Sequence, residues 1–186
     1  GIGRFPVDTL AQANTIVSKV IAFENSPPTN AFFGQDFYSR LTFGSFYQVR
    51  DNGGTSLTRD RRWFVETSEI VRDHATGLGY DVGRFYTADS DANPTFYNNG
   101  ASIPAELKKP TFAWNATKAD MAAAINKGSA LVYHRDHGWW DGWGDPSFLT
   151  SDLSLISVTN NQFPVVFSIN CASGIYDNET VDMPAN

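Results

Sequence analysis

Two short apolar segments of this chain each run directly into a cluster of reactive side chains. The first, residues 129–133, ends at the sequence His-Arg-Asp-His-Gly, and the second, residues 164–169, ends at Asn-Cys. Their composition is typical of buried strands. Cys171 follows His137 by 34 positions, which leaves room for a loop, one helical segment and the next strand. This spacing predicts neighbouring parallel strands joined by a right-handed crossover.

Helix and strand patterns alternate along the rest of the chain. The first predicted helix is opened by residues 6–9 and ends near Glu24, and the second runs from about 59 to 78. The third begins at Thr117, with Asp120 as its capping partner, and ends before Gly128. The apolar stripe of the first helix is Leu10, Ala13, Val17, Val20 and Ile21, and the residues predicted to share one face of the second are Phe64, Thr67, Val71, His74 and Leu78. Further strands are predicted at 2–5, 41–49 and 80–86, a turn at 52–54, a long loop at 87–115 and a crossover helix at 150–157.

This alternation predicts an α/β fold with a mostly parallel sheet. The chain has 186 residues, of which 41% are hydrophobic and 18% charged, as expected for one globular domain. Residues 1–5 resemble the end of a strand already under way, and the sequence stops 15 positions after Cys171. We therefore interpret residues 1–186 as a single, incomplete domain from inside a longer protein.

Charge and cysteine content exclude several classes of function. The net charge of −6 argues against non-specific nucleic-acid binding, which depends on Lys and Arg neutralising phosphates. No apolar segment of the sequence is long enough to cross a bilayer. Cys171 is the only cysteine, so an intramolecular disulfide or a zinc site built from several cysteines is ruled out within this chain.

The two strand ends together carry the groups needed for covalent acyl transfer. In parallel α/β sheets, ligands bind beyond the carboxyl ends of the strands, where Cys171 and His137 are expected to face one crevice. The thiolate is a nucleophile, and an imidazole can activate it and protonate the leaving amine. Gly138 lacks a Cβ, so its backbone N–H could approach a substrate carbonyl and, with the N–H of Cys171, stabilise an oxyanion.

Other interpretations of these residues stay open on the sequence alone. Cys171 could be a buried structural thiol, and His134, three positions before His137, competes with it as the base. We favour His137 because a glycine follows it. The spacing of His134, Asp136 and His137 does not fit a known zinc signature, which disfavours a metal site. His74 lies in the second predicted helix and is interpreted as a packing or surface residue.

Several segments together resemble the gingipain family, the C25-type cysteine peptidases. Residues 128–138 (Gly-Ser-Ala-Leu-Val-Tyr-His-Arg-Asp-His-Gly) resemble the block around the family's catalytic histidine, as do residues 142–144 and 149–153. Residues 164–171 (Pro-Val-Val-Phe-Ser-Ile-Asn-Cys) resemble its catalytic-cysteine strand, and residues 2–7 with 22–24 resemble an upstream block. The blocks occur in the family's order, and the similarity is weakest at 26–57.

The resemblance implies a caspase-like, three-layer α/β/α sandwich and a secreted or cell-surface cysteine endopeptidase. It assigns catalysis to His137 and Cys171, the oxyanion role to Gly138, and a peptide or protein as the substrate. No cofactor is implied for catalysis. The chain departs from gingipains at Asp136, where they have glycine, and this carboxyl could tune the pKa of His137 or point to solvent. The family's third catalytic carboxylate would fall before Gly1, and flanking segments of the parent chain would complete the sheet and pocket.

Two further groups have alternative interpretations. Trp139, Trp140 and Trp143 follow the histidine and could line a substrate pocket or pack beneath the loop. The family resemblance also implies possible structural calcium, for which the oxygen ligands would be Asp89, Asp91, Asp141 and Asp145. Their spacing matches no recognised calcium loop, which favours solvated acids.

Two alternative functions remain beside the endopeptidase. The first is a catalytically inactive relative that acts as a binding or assembly module, although the presence of both His137 and Cys171 disfavours it. The second is a small-molecule hydrolase or transferase that uses Cys171. The sequence lacks the Gly-x-Ser-x-Gly and Gly-x-Gly-x-x-Gly patterns that usually mark such enzymes.

Overall fold

The architecture was established from a computed structural model, which describes residues 5, 7–28, 37–50 and 56–175. Its α-helices are α1 (Leu10–Asn25), α2 (Phe64–Gly77) and α3 (Lys118–Asn126). The strands are β1 (Arg40–Tyr47), β2 (Asp81–Ala88), β3 (Leu131–Arg135), β4 (Gly138–Trp139), β5 (Gly142–Trp143), β6 (Phe148–Leu149) and β7 (Val165–Ile169). Short 3₁₀ helices occupy Phe37–Ser39, Ala105–Leu107 and Thr150–Leu155.

The four longest strands form one parallel sheet in the order β2-β1-β3-β7. Strand β1 pairs with β2 and β3, and β3 pairs with β7, with His134 opposite Ser168. The predicted neighbouring arrangement of the two strands that precede His137 and Cys171 is therefore confirmed. Strands β4, β5 and β6 form a separate antiparallel sheet directly after β3.

Helices cover both faces of the parallel sheet because strand side chains alternate between them. On one face, Phe43 and Tyr133 pack with their rings 4.8 Å apart, in a core that includes Val65 of α2. On the other face, Val132 packs with Met121 of α3. The layers are those of an α/β sandwich, as the sequence predicts.

Helices α1 and α3 begin at capping boxes. The Thr117 hydroxyl accepts the N–H of Asp120, whose carboxylate accepts the N–H of Thr117 in return, so the predicted start of α3 is confirmed. Thr9 and Gln12 make the same reciprocal pair at α1. Each box satisfies backbone donors that the first turn would otherwise leave open.

The buried face of α2 is not the one that carries the five residues grouped from the sequence. Val65, Ser68 and Ala75 are buried, whereas Val71 is 41% and Leu78 66% exposed. Polar side chains form part of the buried face, and their hydrogen bonds are not revealed by an apolar pattern. Ser68 donates to the carbonyl of Phe64 and to the hydroxyl of Ser45.

Other differences from the sequence prediction are local. The crossover segment is the 3₁₀ helix Thr150–Leu155, whose start is held by the Asp152 carboxylate accepting the N–H of Leu149. The segment 87–115 has little regular structure, as predicted, apart from the short helix Ala105–Leu107 and isolated bridges. The predicted strand at 2–5, apart from Phe5, and the turn at 52–54 lie outside the described residues.

Strand β7 and helix α1 expose much of their apolar surface in the described structure. Every residue of β7 is exposed, with Val165 at 59% and Phe167 at 49%. No residue of α1 is buried, although its apolar residues have the predicted helical spacing. None of the helices in the described segments is long and apolar enough to cross a membrane.

Candidate active site

The carboxyl ends of β3 and β7 meet at one edge of the sheet. Strand β3 delivers His137 and Gly138, and β7 delivers Asn170 and Cys171. The side chain of Asn170 lies directly against Gly138, so close that a Cβ added at position 138 would be 2.7 Å from Cγ of Asn170. The absence of a side chain at Gly138 is thus what allows the two strand ends to approach this closely.

His134 ties three segments together beneath this edge. It is fully buried, its Nδ1 accepts from the Asn170 amide at 2.9 Å, and its Nε2 donates to the carbonyl of Asp145 at 3.2 Å. Its ring stacks on that of Trp143 with centroids 4.4 Å apart. Burial lowers the pKa of His134 to about 3, although the Asp145 carbonyl opposes this, so the ring is neutral near pH 7.

His137 has a different environment from His134. It is partly buried, and its Nε2 lies 2.9 Å from Oε1 of Gln48, the residue that follows β1. The imidazole ring of His137 and the phenyl ring of Phe64 in α2 make an edge-to-face contact, with their centroids 5.1 Å apart. These contacts place the His137 ring on the β1 side of the strand end.

Asp136 does not point to solvent, so one of the two interpretations left by the sequence is wrong. Its side chain is buried, and Oδ2 accepts the N–H of Asp145 at 2.6 Å. Burial raises the pKa of Asp136 to about 7, although hydrogen bonds from the backbone N–H groups of His137 and Asp145 oppose the rise. The carboxyl therefore fastens the loop after β3 to the residues that precede Pro146.

Cys171 lies where β7 gives way to a turn. Its thiol is exposed, and the next residue, Ala172, has a positive φ of 57°. The carbonyl of Cys171 accepts the N–H of Ser173. An exposed thiol at the carboxyl end of a parallel strand is accessible to a substrate, which distinguishes Cys171 from a buried structural cysteine.

The three tryptophans after the histidine take two roles. Trp143 packs under the loop, where its Nε1 donates to the Ser168 hydroxyl at 2.8 Å and its ring stacks on His134. Trp139 and Trp140 are 54% and 47% exposed beside the strand ends. Packing therefore accounts for Trp143, and the other two remain available to contact a bound molecule.

Two of the acids considered for calcium are engaged by an arginine. Arg50 forms ion pairs with Asp89 and Asp91, and Asp89 also accepts the N–H of Val49. Within the described ranges, no group of three or more His, Cys, Asp or Glu side chains is arranged to hold a metal ion. Calcium binding at these acids stays an implication of the resemblance.

Sequence analysis missed Gln48 and Asp60. Gln48 is the first residue after β1, so it reaches the same sheet edge as the other site residues. Asp60 is fully buried, and its Oδ1 accepts the backbone N–H groups of Arg62 at 3.0 Å and Gln48 at 3.2 Å. In the sequence, the position of Gln48 near the carboxyl end of the predicted strand 41–49 was the one available signal.

The stability of this region should depend on the ionisation of Asp60. Burial raises its pKa from 3.8 to about 8, although the N–H groups of Arg62 and Gln48 oppose the rise. The folded state thus keeps a proton that the unfolded chain releases, so the contribution of Asp60 to stability falls as pH rises from about 4 to about 8. Asp60→Asn cannot ionise and retains a carbonyl acceptor.

We expect the variant Asp60→Asn to gain stability relative to the wild type as pH rises through that window, by at most about 1.4 kcal/mol per pH unit. Urea unfolding at about pH 5 and about pH 8 measures the difference in the free energy of unfolding between the variant and the wild type. Asp73→Asn, on the exposed side of α2, is the control for the change of charge alone. The expectation would be contradicted if the stability difference between Asp60→Asn and the wild type were the same at both pH values.

Comparisons with known proteins place the chain among peptidases. The family model for Peptidase family C25 matches residues 1–185. An uncharacterized protein, sORF2, of Psittacid herpesvirus 1 (isolate Amazon parrot) is 31% identical over 91 residues, which are 48% of this chain and 9% of the viral protein.

Two solved structures share the fold. The Arg-specific cysteine proteinase gingipain R (RgpB) superposes with a TM-score of 0.56 at 17% identity, over 94% of this chain and 35% of its own. A complex of Porphyromonas gingivalis RgpB pro- and mature domains gives a TM-score of 0.53 at 18% identity, over 89% of this chain and 31% of its own. These likenesses show the fold alone, a caspase-like α/β sandwich, and the chain spans about a third of the solved chains.

Proposed function

The chain belongs to peptidase family C25, and from this premise we propose that it carries the catalytic dyad of a cysteine endopeptidase, Cys171 and His137. The family resemblance predicted from the sequence is confirmed by the match over residues 1–185. The observation that carries the proposal is the contact of Gly138 with Asn170, which brings the His-Gly and Asn-Cys strand ends together.

In the proposed reaction, the Cys171 thiol transfers its proton to His137, and the sulfur attacks the scissile carbonyl carbon. The carbonyl π electrons move to oxygen, which accepts hydrogen bonds from the N–H groups of Gly138 and Cys171. As the intermediate collapses, the C–N bond breaks and His137 protonates the leaving amine. Water, deprotonated by His137, then cleaves the thioester and restores the thiol.

The surroundings of the two histidines support His137 as the base. His134 is buried, both of its ring nitrogens are engaged by Asn170 and Asp145, and its pKa lies far below neutral. A general base works best when its pKa lies near the working pH. The ring of His137 is only partly buried and contacts Gln48 and Phe64 at the sheet edge where the cysteine emerges.

The substrate in this proposal is a peptide or protein, and the enzyme acts outside the cell or at its surface. The substrate class and the location are inferred from the family resemblance. One of the solved structures that share the fold is an Arg-specific cysteine proteinase. Flanking segments of the whole protein would contribute to the substrate pocket, because this chain spans 35% of gingipain R. The exposed rings of Trp139 and Trp140, which follow His137 in the chain, offer apolar surface for substrate side chains.

Active-site titration tests the proposal against an inactive binding module and a small-molecule hydrolase. We expect peptidyl acyloxymethyl ketones, varied at the residue before the scissile bond, to label the folded full-length protein at Cys171 with one equivalent. Mass spectrometry of the digested protein locates the label. Excess peptide substrate should slow labelling, which separates an active site from a merely reactive thiol. Folded protein that takes no label at Cys171 from any peptide would contradict the proposal.

A further inference from the structure

The backbone of Gln48 is fixed at the end of β1. Its N–H donates to Oδ1 of the buried Asp60 at 3.2 Å, and its carbonyl accepts the N–H of Arg61 at 2.7 Å. The side chain is partly buried and extends to His137, on the neighbouring strand end. Because β1 and β3 are paired in parallel, the position of Gln48 relative to His137 is set by the sheet itself.

The partners of the Gln48 carboxamide determine which way it faces. Its Nε2 lies 2.6 Å from the carbonyl oxygen of Arg50, which only accepts hydrogen bonds. Its Oε1 lies 3.3 Å from Nε of Arg62, which only donates. The reverse orientation would place two acceptors together and two donors together. The amide nitrogen therefore belongs at Arg50, and the amide oxygen belongs on the side of Arg62 and His137.

This orientation determines the proton position on the histidine ring. Oε1 of Gln48 is an acceptor, and Nε2 of His137 lies 2.9 Å from it, so Nε2 carries the hydrogen. A neutral imidazole has one protonated nitrogen, which leaves Nδ1 of His137 as the proton acceptor. The edge contact with Phe64 limits rotation of the ring about this hydrogen bond.

We propose that Gln48 is the positioning residue of the site, holding His137 in the tautomer whose Nδ1 carries no hydrogen and can accept the proton of the Cys171 thiol. This inference rests on the proposed function, since it specifies how the proposed base is prepared. In this proposal Gln48 acts on catalysis through the ring of His137, which it contacts at Nε2.

The same hydrogen bond strengthens when the histidine is protonated. After Nδ1 takes the proton of Cys171, Nε2–H belongs to an imidazolium, and hydrogen bonds from a charged donor are about twice as strong as neutral ones. A neutral amide supplies this support without adding a negative charge beside the thiolate. Gln48 thus favours the proton transfer as well as the orientation of the ring.

The tautomer of His137 can be measured directly. Long-range ¹H–¹⁵N spectra of ¹⁵N-histidine-labelled full-length protein distinguish the two neutral tautomers, and substitution of each histidine assigns the signals. The Cys171→Ala background removes the thiol that would protonate the ring, and the pH is set where His137 is neutral. We expect the Nε2–H tautomer with Gln48 present. Gln48→Met, which keeps the side-chain length without an acceptor, should give a mixture of tautomers, and Gln48→Glu should retain Nε2–H.

The second measurement is kinetic and uses the protein with Cys171 intact. Gln48→Met should lower kcat for a peptide substrate about tenfold to a hundredfold with KM little changed, since a hydrogen bond to a charged group is lost. Gln48→Glu should recover part of that loss. Gln162→Ala is the matched control, because Gln162 lies beside Gly128 before β3, away from the strand ends that carry the site.

The two arms separate this inference from the proposed function. An Nδ1–H tautomer in the Gln48 protein overturns the inference even if Gln48→Met fails to fold. An unchanged tautomer in folded Gln48→Met also overturns it, whatever the kinetics show. If the protein neither cleaves peptides nor reacts with the titrant at Cys171, the proposed function fails, and the inference fails with it as a statement about catalysis.

Discussion

Replacing Cys171 with alanine is expected to reduce peptide hydrolysis by the full-length protein by a factor on the order of 10⁴ or more. The proposed reaction passes through a thioester on this sulfur, and this chain contains no other thiol that could substitute for it. Stability should change little, by about 0.5 kcal/mol or less, because the Cys171 side chain is exposed. Measurements of kcat/KM and of urea unfolding on the same preparations test both expectations.

The control for this experiment is Ser173→Ala, an exposed position two residues further along the same turn. It changes a comparable volume next to β7 without touching the nucleophile, and should retain activity near that of the wild type. Activity of Cys171→Ala comparable to that of the control would show that the nucleophile lies elsewhere and that Cys171 is a bystander on the surface.

Alanine at His137 is expected to lower kcat on the order of a hundredfold or more, the usual contribution of a general acid–base group. Its ring is only partly buried and contacts Gln48 and Phe64 at the edge of the sheet, so we expect the fold to persist without it. The rate of acylation measured under single-turnover conditions should fall, whereas the affinity for substrate should change little.

His134→Ala should produce the opposite combination. The buried ring bridges Asn170 and the Asp145 carbonyl, and its removal leaves both partners unsatisfied next to a cavity beside Trp143. We expect a loss of about 2 kcal/mol or more in the free energy of unfolding, with a measurable rate for the molecules that remain folded. Comparing kcat/KM of His137→Ala and His134→Ala at a matched folded fraction decides which histidine is the base. A dead His134→Ala protein beside an active His137→Ala protein would place the base three residues earlier.

The sequence predicted the parts of the site that depend on local pattern. Apolar strands that end in His-Gly and Asn-Cys were visible because composition and spacing define a parallel pair. Their adjacency, the start of α3 and the family resemblance are all confirmed. The roles of His137, Gly138 and Cys171 remain predictions, which the experiments above address.

The remaining features depend on contacts between segments distant in the chain. The bond from Gln48 to His137 joins residues 89 positions apart, and that from Asn170 to His134 spans 36. Neither glutamine nor asparagine stands out in a sequence without such contacts. The buried face of α2 was missed for a related reason, because Ser68 and Glu69 are buried through partners on β1 and β2.

Strand β7 has a practical consequence for work with this chain. Its sequence, Val-Val-Phe-Ser-Ile, has no charge and no proline, and in the described structure it is one of the two edge strands of the parallel sheet, with all five residues exposed. A flat, apolar outer strand is a template on which other chains can add strands, and such segments drive aggregation. A preparation limited to these 186 residues should therefore lose solubility steeply with concentration. The substitution Val165→Lys, at the end of β7 away from Cys171, is the route to soluble material.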